Sequence, residues 1–137
     1  MRTKNLYPVL CAVIVVLVAT LACNALSSTP GASNFYMATD VDGKNRTNVF
    51  APTDDFYVFF DVSGIEAGTN FQSRWYVLNL EDQDPNTPIQ TIDYLYEEGI
   101  GNIYFQLTSA DGWPTGNYKV EIYMNDAKVG EQEFSVQ

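Results

Sequence analysis

Tyr118-Lys119-Val120-Glu121-Ile122-Tyr123-Met124-Asn125 decides the fold. Tyr118, Val120, Ile122 and Met124 take every second place, and Lys119, Glu121, Tyr123 and Asn125 fill the places between them. A period of two belongs to a strand with one face buried and one face wet. Asn125-Asp126-Ala127 then offers the residues a tight reversal needs, and Val129, Phe134 and Val136 continue into a last strand. The stretch reads as a C-terminal hairpin.

Working back towards Asn34, short alternating runs recur and no segment keeps a helical period over three turns. The pattern predicts strands at 35–39, 56–62, 73–80, 89–96, 103–108, 118–125 and 128–136. Between them lie clusters of Gly, Pro, Asn and Asp, such as Glu98-Gly99-Ile100-Gly101-Asn102 and Asp111-Gly112-Trp113-Pro114. Seven short strands with such spacing predict an all-β antiparallel sandwich.

Trp113-Pro114-Thr115-Gly116-Asn117-Tyr118-Lys119-Val120, with the hairpin and its Phe134-Ser135-Val136 ending, resembles the last two strands of bacterial immunoglobulin-like and fibronectin type III-like domains. The resemblance covers about the last 25 residues. It implies one immunoglobulin-like antiparallel β-sandwich of about seven strands over 34–137, with Tyr118 packed at or capping a corner. The cysteine pair of antibody domains is missing, because no cysteine follows Cys23. The domain must hold itself together by its core.

Trp75 shares a strand face with Phe71, Ser73 and Val77, which predicts a core residue at the third strand rather than a stacking platform. Arg74 falls on the opposite face, as a surface contact or a charge partner. Trp113 lies in a turn, where it either plugs the end of the sandwich or stacks on a ligand. Ile92, Tyr94 and Tyr96 form a second stripe, with Thr91, Asp93 and Leu95 on the other face. Trp113, Tyr94 and Tyr96 are therefore the candidate ligand-binding residues, with cross-strand packing near Tyr104 as the plain alternative for the tyrosines.

The N-terminus carries an address. Arg2 and Lys4 precede an uncharged run over 6–22, the form of a secretory signal. Its end, Ala19-Thr20-Leu21-Ala22-Cys23, resembles the lipobox of bacterial lipoprotein signal peptides. The resemblance covers 1–23 and implies cleavage before Cys23 and acylation of its thiol. Segment 1–22 then reads as signal peptide, and 23–33, rich in small and polar residues around Pro30-Gly31, as lipidated cysteine and flexible tether. An uncleaved anchor would need a longer apolar run. The expected location is the extracytoplasmic side of a cell membrane, held by a lipid anchor at Cys23.

Composition narrows the chemistry. The 137 residues contain two cysteines and no histidine, so neither a Ser/His/Asp relay nor a histidine-bound zinc can be assembled. Without segment 1–22 the chain keeps all 17 acidic residues and five basic ones, a net charge of −12. That charge argues against nucleic acid as a partner. Asp40-Val41-Asp42-Gly43-Lys44-Asn45 starts like a calcium loop, but Lys44 takes a ligand position and Ala51 stands where a closing glutamate belongs. No metal or cofactor is expected, and no pair of carboxylates is singled out for catalysis. The expectation is a non-catalytic binding or structural module of the cell envelope that meets an envelope or surface protein, with carbohydrate binding by exposed aromatics as the alternative.

Overall fold

The computed structural model describes residues 31–137. The signal segment 1–22, Cys23 and the following residues to 30 lie outside the described residues. Eight strands follow in order: β1 Gly31–Ala38, β2 Val49–Phe50, β3 Phe56–Ser63, β4 Asn70–Val77, β5 Gln90–Leu95, β6 Asn102–Leu107, β7 Gly116–Met124 and β8 Ala127–Val136. One sheet has the order β1-β3-β6 and the other β2-β8-β7-β4-β5. Every pairing is antiparallel except β2 with β8. This is an all-β two-sheet sandwich, as the alternation predicted.

The inner faces supply one core. Phe56, Val58, Phe60 and Val62 point inward from β3, and Ile103, Phe105 and Leu107 from β6. Phe71, Trp75 and Val77 of β4 face them, with Tyr118, Val120 and Ile122 of β7 and Phe134 and Val136 of β8. Each such side chain contributes about 1.5–3 kcal/mol by leaving water. That burial does the work a disulfide does in antibody domains. Trp75 is 1% exposed and its Nε1 donates to Ser73 Oγ at 3.0 Å, which satisfies two buried polar groups within one strand. Tyr118 is equally buried, and its hydroxyl donates to the Pro114 carbonyl at 2.6 Å. The tyrosine thus ties the start of β7 to the loop before it, the arrangement called a tyrosine corner.

Three details depart from the sequence reading. The strand count is eight, because Val49–Phe50 adds a parallel edge to β8 through a register of only two pairs. β4 spans Asn70–Val77 rather than 73–80. Past Val77, Asn79 turns its side chain to accept the Asn117 N–H at 2.7 Å, and the chain leaves the sheet for the Pro85 loop. β1 begins at Gly31, so residues 31–33, read as tether, are strand paired with β3.

Asn125 and Asp126 have φ of 46° and 68°, the left-handed pair that a two-residue type I′ turn requires. A second, smaller cluster lies outside the β1-β3-β6 sheet, where Tyr36, Ala38, Tyr57 and Phe59 pack beneath the 39–46 loop. Gly43 makes that cover possible: it sits at φ 64°, and a Cβ there would come within 2.6 Å of the Tyr36 hydroxyl.

Candidate functional site

Trp113 lies at the end of the sandwich marked by Phe56. Its ring stacks on Phe56 with centroids 4.6 Å apart, its Nε1 donates to the Asp54 carbonyl at 3.0 Å, and its backbone N–H donates to the Pro52 carbonyl at 2.8 Å. Both of its N–H donors are spent on this chain. Tyr96 belongs to the opposite end, where Val62 bonds Gly101. It is 7% exposed, and its hydroxyl donates to the Ile100 carbonyl at 2.8 Å. Trp113 and Tyr96 therefore do not share a site.

Tyr94 is half-buried beside the end that holds Tyr96. Together with Ile100, Asn102, Ile103 and Tyr104 it lines a cleft of about 390 Å³. β5 ends one sheet and β6 ends the other, so this cleft runs along the open side of the sandwich between two strands that have no further neighbour among the described residues. Tyr94 and Tyr104 line this cleft from different sheets and are not cross-strand partners within one. Tyr104 is 46% exposed and Leu95 64%, the two largest apolar side chains left open along this side.

On the outer face of β1-β3-β6 an aromatic row leads to the same edge. Tyr36 stacks on Phe59 at 5.0 Å, and Phe59 meets Tyr104 at 5.5 Å. The Arg46 guanidinium covers the far end, 3.6 Å from the Tyr36 ring centre. Two aspartates flank the row. Asn102 Nδ2 donates to Asp61 at 2.9 Å, and Gln106 Nε2 reaches Asp55 at 3.3 Å. Hydrogen bonds from Asn34 and Asn102 hold the Asp61 carboxyl below its ordinary range, so it stays anionic at neutral pH.

The outer face of the larger sheet is occupied by its own network. Glu121 is 7% exposed although the alternation assigned it to the wet face. Lys119 Nζ at 2.9 Å, Tyr123 Oη at 2.7 Å and Lys128 Nζ at 3.5 Å surround its carboxylate. Burial alone would raise this group, but the hydrogen bonds from Lys119 and Tyr123 outweigh it and hold it at about 2. Arg74 lies 3.8 Å from the Tyr123 ring centre and bonds Gln72. It is thus a partner to neighbours on its own sheet. Each of these charged groups is engaged by a neighbour on its own sheet.

A broad open hollow of about 550 Å³ lies between Asn48, Leu78, Asn117 and Glu133, where Asn79 is already committed to the Asn117 N–H. The acidic loops are also self-satisfied. Asp40 accepts the backbone N–H groups of Asn45 and Lys44, and Asp84 accepts those of Asn86 and the Thr87 hydroxyl. Both carboxyls are lowered by these bonds. Among the described residues no group of three or more His, Cys, Asp or Glu converges as a metal ion would require.

The open side of the sandwich is the candidate site, with Tyr94 the single residue marked in advance. Tyr104, Ile100, Asn102 and Ile103 escaped because nothing local to β6 says that it ends a sheet. The uncharged run 102–107 was the available signal.

This architecture defines the class: an immunoglobulin-like β-sandwich. Its fold is similar to that of an immunoglobulin-like protein from Pseudomonas aeruginosa, with a TM-score of 0.61 at 10% identity, over 82% of this chain and all of that one. Looser likenesses link it to part of an alkylpurine DNA glycosylase of Pseudomonas fluorescens (TM-score 0.47, 8% identity, 79% of this chain and 30% of that one) and to a superoxide reductase of Ignicoccus hospitalis (0.44, 11%, 77% and 82%). These two carry no argument. No family model matches the chain, and no curated protein matches it in sequence.

Proposed function

We propose that this protein is a lipid-anchored, extracytoplasmic and non-catalytic binding module that docks a partner protein of the cell envelope through the open side of its sandwich. The observation that carries the docking reading is the apolar cleft of Tyr94, Ile100, Ile103 and Tyr104 between two strand edges that no described residue pairs. Tyrosine-rich, partly exposed apolar surface beside free backbone groups suits a protein partner. Support for the anchor comes from the sequence alone: Arg2 and Lys4, the apolar run, and Leu21-Ala22-Cys23. A net charge of −12 disfavours anionic headgroups, so on this reading acyl chains rather than the domain surface supply membrane attachment.

The carbohydrate reading has less to draw on. It joins Trp113 to Tyr94 and Tyr96, yet Trp113 and Tyr96 lie at opposite ends with their polar atoms engaged internally.

Crosslinking in intact cells followed by mass spectrometry tests the proposal, with Cys23→Ala as the control. The expected result is one stoichiometric protein crosslinked through the β5–β6 side, and an unacylated, unprocessed precursor for Cys23→Ala. Normal maturation of that variant would refute the anchor. Recovery of glycan alone, or of crosslinks confined to the Trp113 end, would refute docking at the open side.

A further inference from the structure

The backbone of β6 points to the way a partner binds. Val62 N–H donates to the Gly101 carbonyl at 2.9 Å. Along the same register Phe60 faces Ile103, Val58 faces Phe105 and Phe56 faces Leu107. In an antiparallel ladder hydrogen-bonded pairs alternate with non-bonded ones, so these three pairs are the bonded kind. Asn102, Tyr104 and Gln106 fall between them and turn their N–H and C=O groups to the open edge. No described residue pairs with that edge.

Sheet edges of this kind are usually protected by lysine, proline, a bulge or shortness. Asn102–Leu107 has no charge, no proline and no register shift. Acidic groups predominate around it, although the Arg46 guanidinium over Tyr36 acts on Asp61. From 75 to 118 the chain has seven acidic residues and no lysine or arginine. Asp61 and Asp55 sit near the two ends of β6, each held by an amide of that strand. The positions of Asn102 and Gln106 are about 13 Å apart along an extended chain, with Tyr104 midway.

We propose that β6 accepts an extended, cationic segment of a partner protein as an added strand, with an apolar side chain against Tyr104 and lysine or arginine towards either end, near Asp61 and Asp55. The proposal deepens the docking reading above and rests on it. Main-chain bonds to Tyr104 and Gln106 supply the attachment, and the aspartates select the sign of the segment. A second copy of this chain is a poor occupant, because its β6 is uncharged and its surroundings are equally acidic.

The probe is the peptide acetyl-Thr-Lys-Thr-Val-Thr-Lys-Thr-amide, in which Lys, Val and Lys share one strand face, with a second peptide carrying Glu for Lys. The full chain, held in detergent, is followed by amide hydrogen exchange and by titration. The lysine peptide should slow exchange at Tyr104 and Gln106 and leave Ile103 and Phe105, already bonded, unchanged. The glutamate peptide should bind at least tenfold more weakly. Gln106→Pro removes an outward N–H without touching the bonds to β3 and should weaken binding at least tenfold. Tyr104→Lys, which puts a like charge on the edge, provides the same test should the proline variant not fold. Absence of saturable binding up to millimolar peptide, equal affinity for both peptides, protection away from β6, or unchanged affinity in the variants would overturn strand addition. A cellular partner that leaves the Tyr104 and Gln106 amides unprotected would also overturn it, while the docking reading would stand. Peptide binding as expected with no cellular partner would fail the docking reading alone.

Discussion

Replacing Trp113 with alanine separates a structural plug from a ligand platform. The indole stacks on Phe56 at 4.6 Å, meets Tyr118 edge-on at 6.4 Å and donates to the Asp54 carbonyl. Removing a fully buried large aromatic costs about 3–5 kcal/mol. Trp113 is half-buried, and Asp54 can regain water, so about 2–3 kcal/mol is expected. At about 4 °C per kcal/mol for a domain of this size, Tm should fall by about 8–12 °C. Thermal unfolding of Trp113→Ala beside the wild type reads this directly, and retention on a panel of immobilised envelope polysaccharides, measured well below Tm, reads the rival. The plug predicts a large drop in Tm with retention unchanged. A Tm within 2 °C of wild type together with lost retention would refute the reasoning and make Trp113 a sugar platform.

Two further outcomes test the framework of the domain. Tyr118→Phe keeps the buried ring and loses only the bond to Pro114, whose carbonyl lies in an exposed turn, so the cost should be about 1 kcal/mol and Tm should fall by about 4 °C in calorimetry. Glu121 is held at about 2 against an ordinary 4.5, so its stabilisation, about 3 kcal/mol, is fully present above pH 4.5 and is lost as the pH falls through 2. Denaturation curves of wild type and Glu121→Gln should therefore lie apart at pH 6 and converge towards pH 2; parallel curves would show that the contacts with Lys119, Lys128 and Tyr123, beside Arg74 and Glu131, are not what holds the charge.

What the sequence made legible was whatever depends on a single strand. The two faces of β7 and the burial of Trp75 follow from spacing within a few residues, the corner at Tyr118 was implied by the resemblance of its stretch to immunoglobulin-like domains, and each is found in the fold. Relations between strands were not legible. Val49–Phe50 is too short to show a period, and it becomes a strand only because Phe50 joins the core beside Phe134, 5.4 Å away. Glu121 obeys the alternation and still leaves water, because the long side chains of Lys119, Tyr123 and Lys128 close over it. The candidate site failed for the same reason. The stripe of Tyr94 and Tyr96 was visible, but two residues of one stripe met different fates: Tyr96 capped Ile100 while Tyr94 opened onto the cleft. Tyr104 could be placed beside Tyr94 only once the order of both sheets was known.

Sheet order also ties the proposed anchor to the proposed site. Gly31 pairs with Ser63, and the neighbouring Val62 bonds Gly101, so β1 starts at the end of the sandwich where β6 starts. An acylated Cys23 would be eight residues before Gly31, a span of at most about 29 Å when fully extended. On that reading the Asn102 end of the open edge is held near the bilayer and the Trp113 end is held away from it. Repulsion between a domain of charge −12 and anionic headgroups opposes its lying flat on the membrane. A partner whose basic segment rises from the membrane surface would then meet β6 from the tethered end upward. The short tether favours such a partner over a freely diffusing one by keeping the edge within a few nanometres of the bilayer.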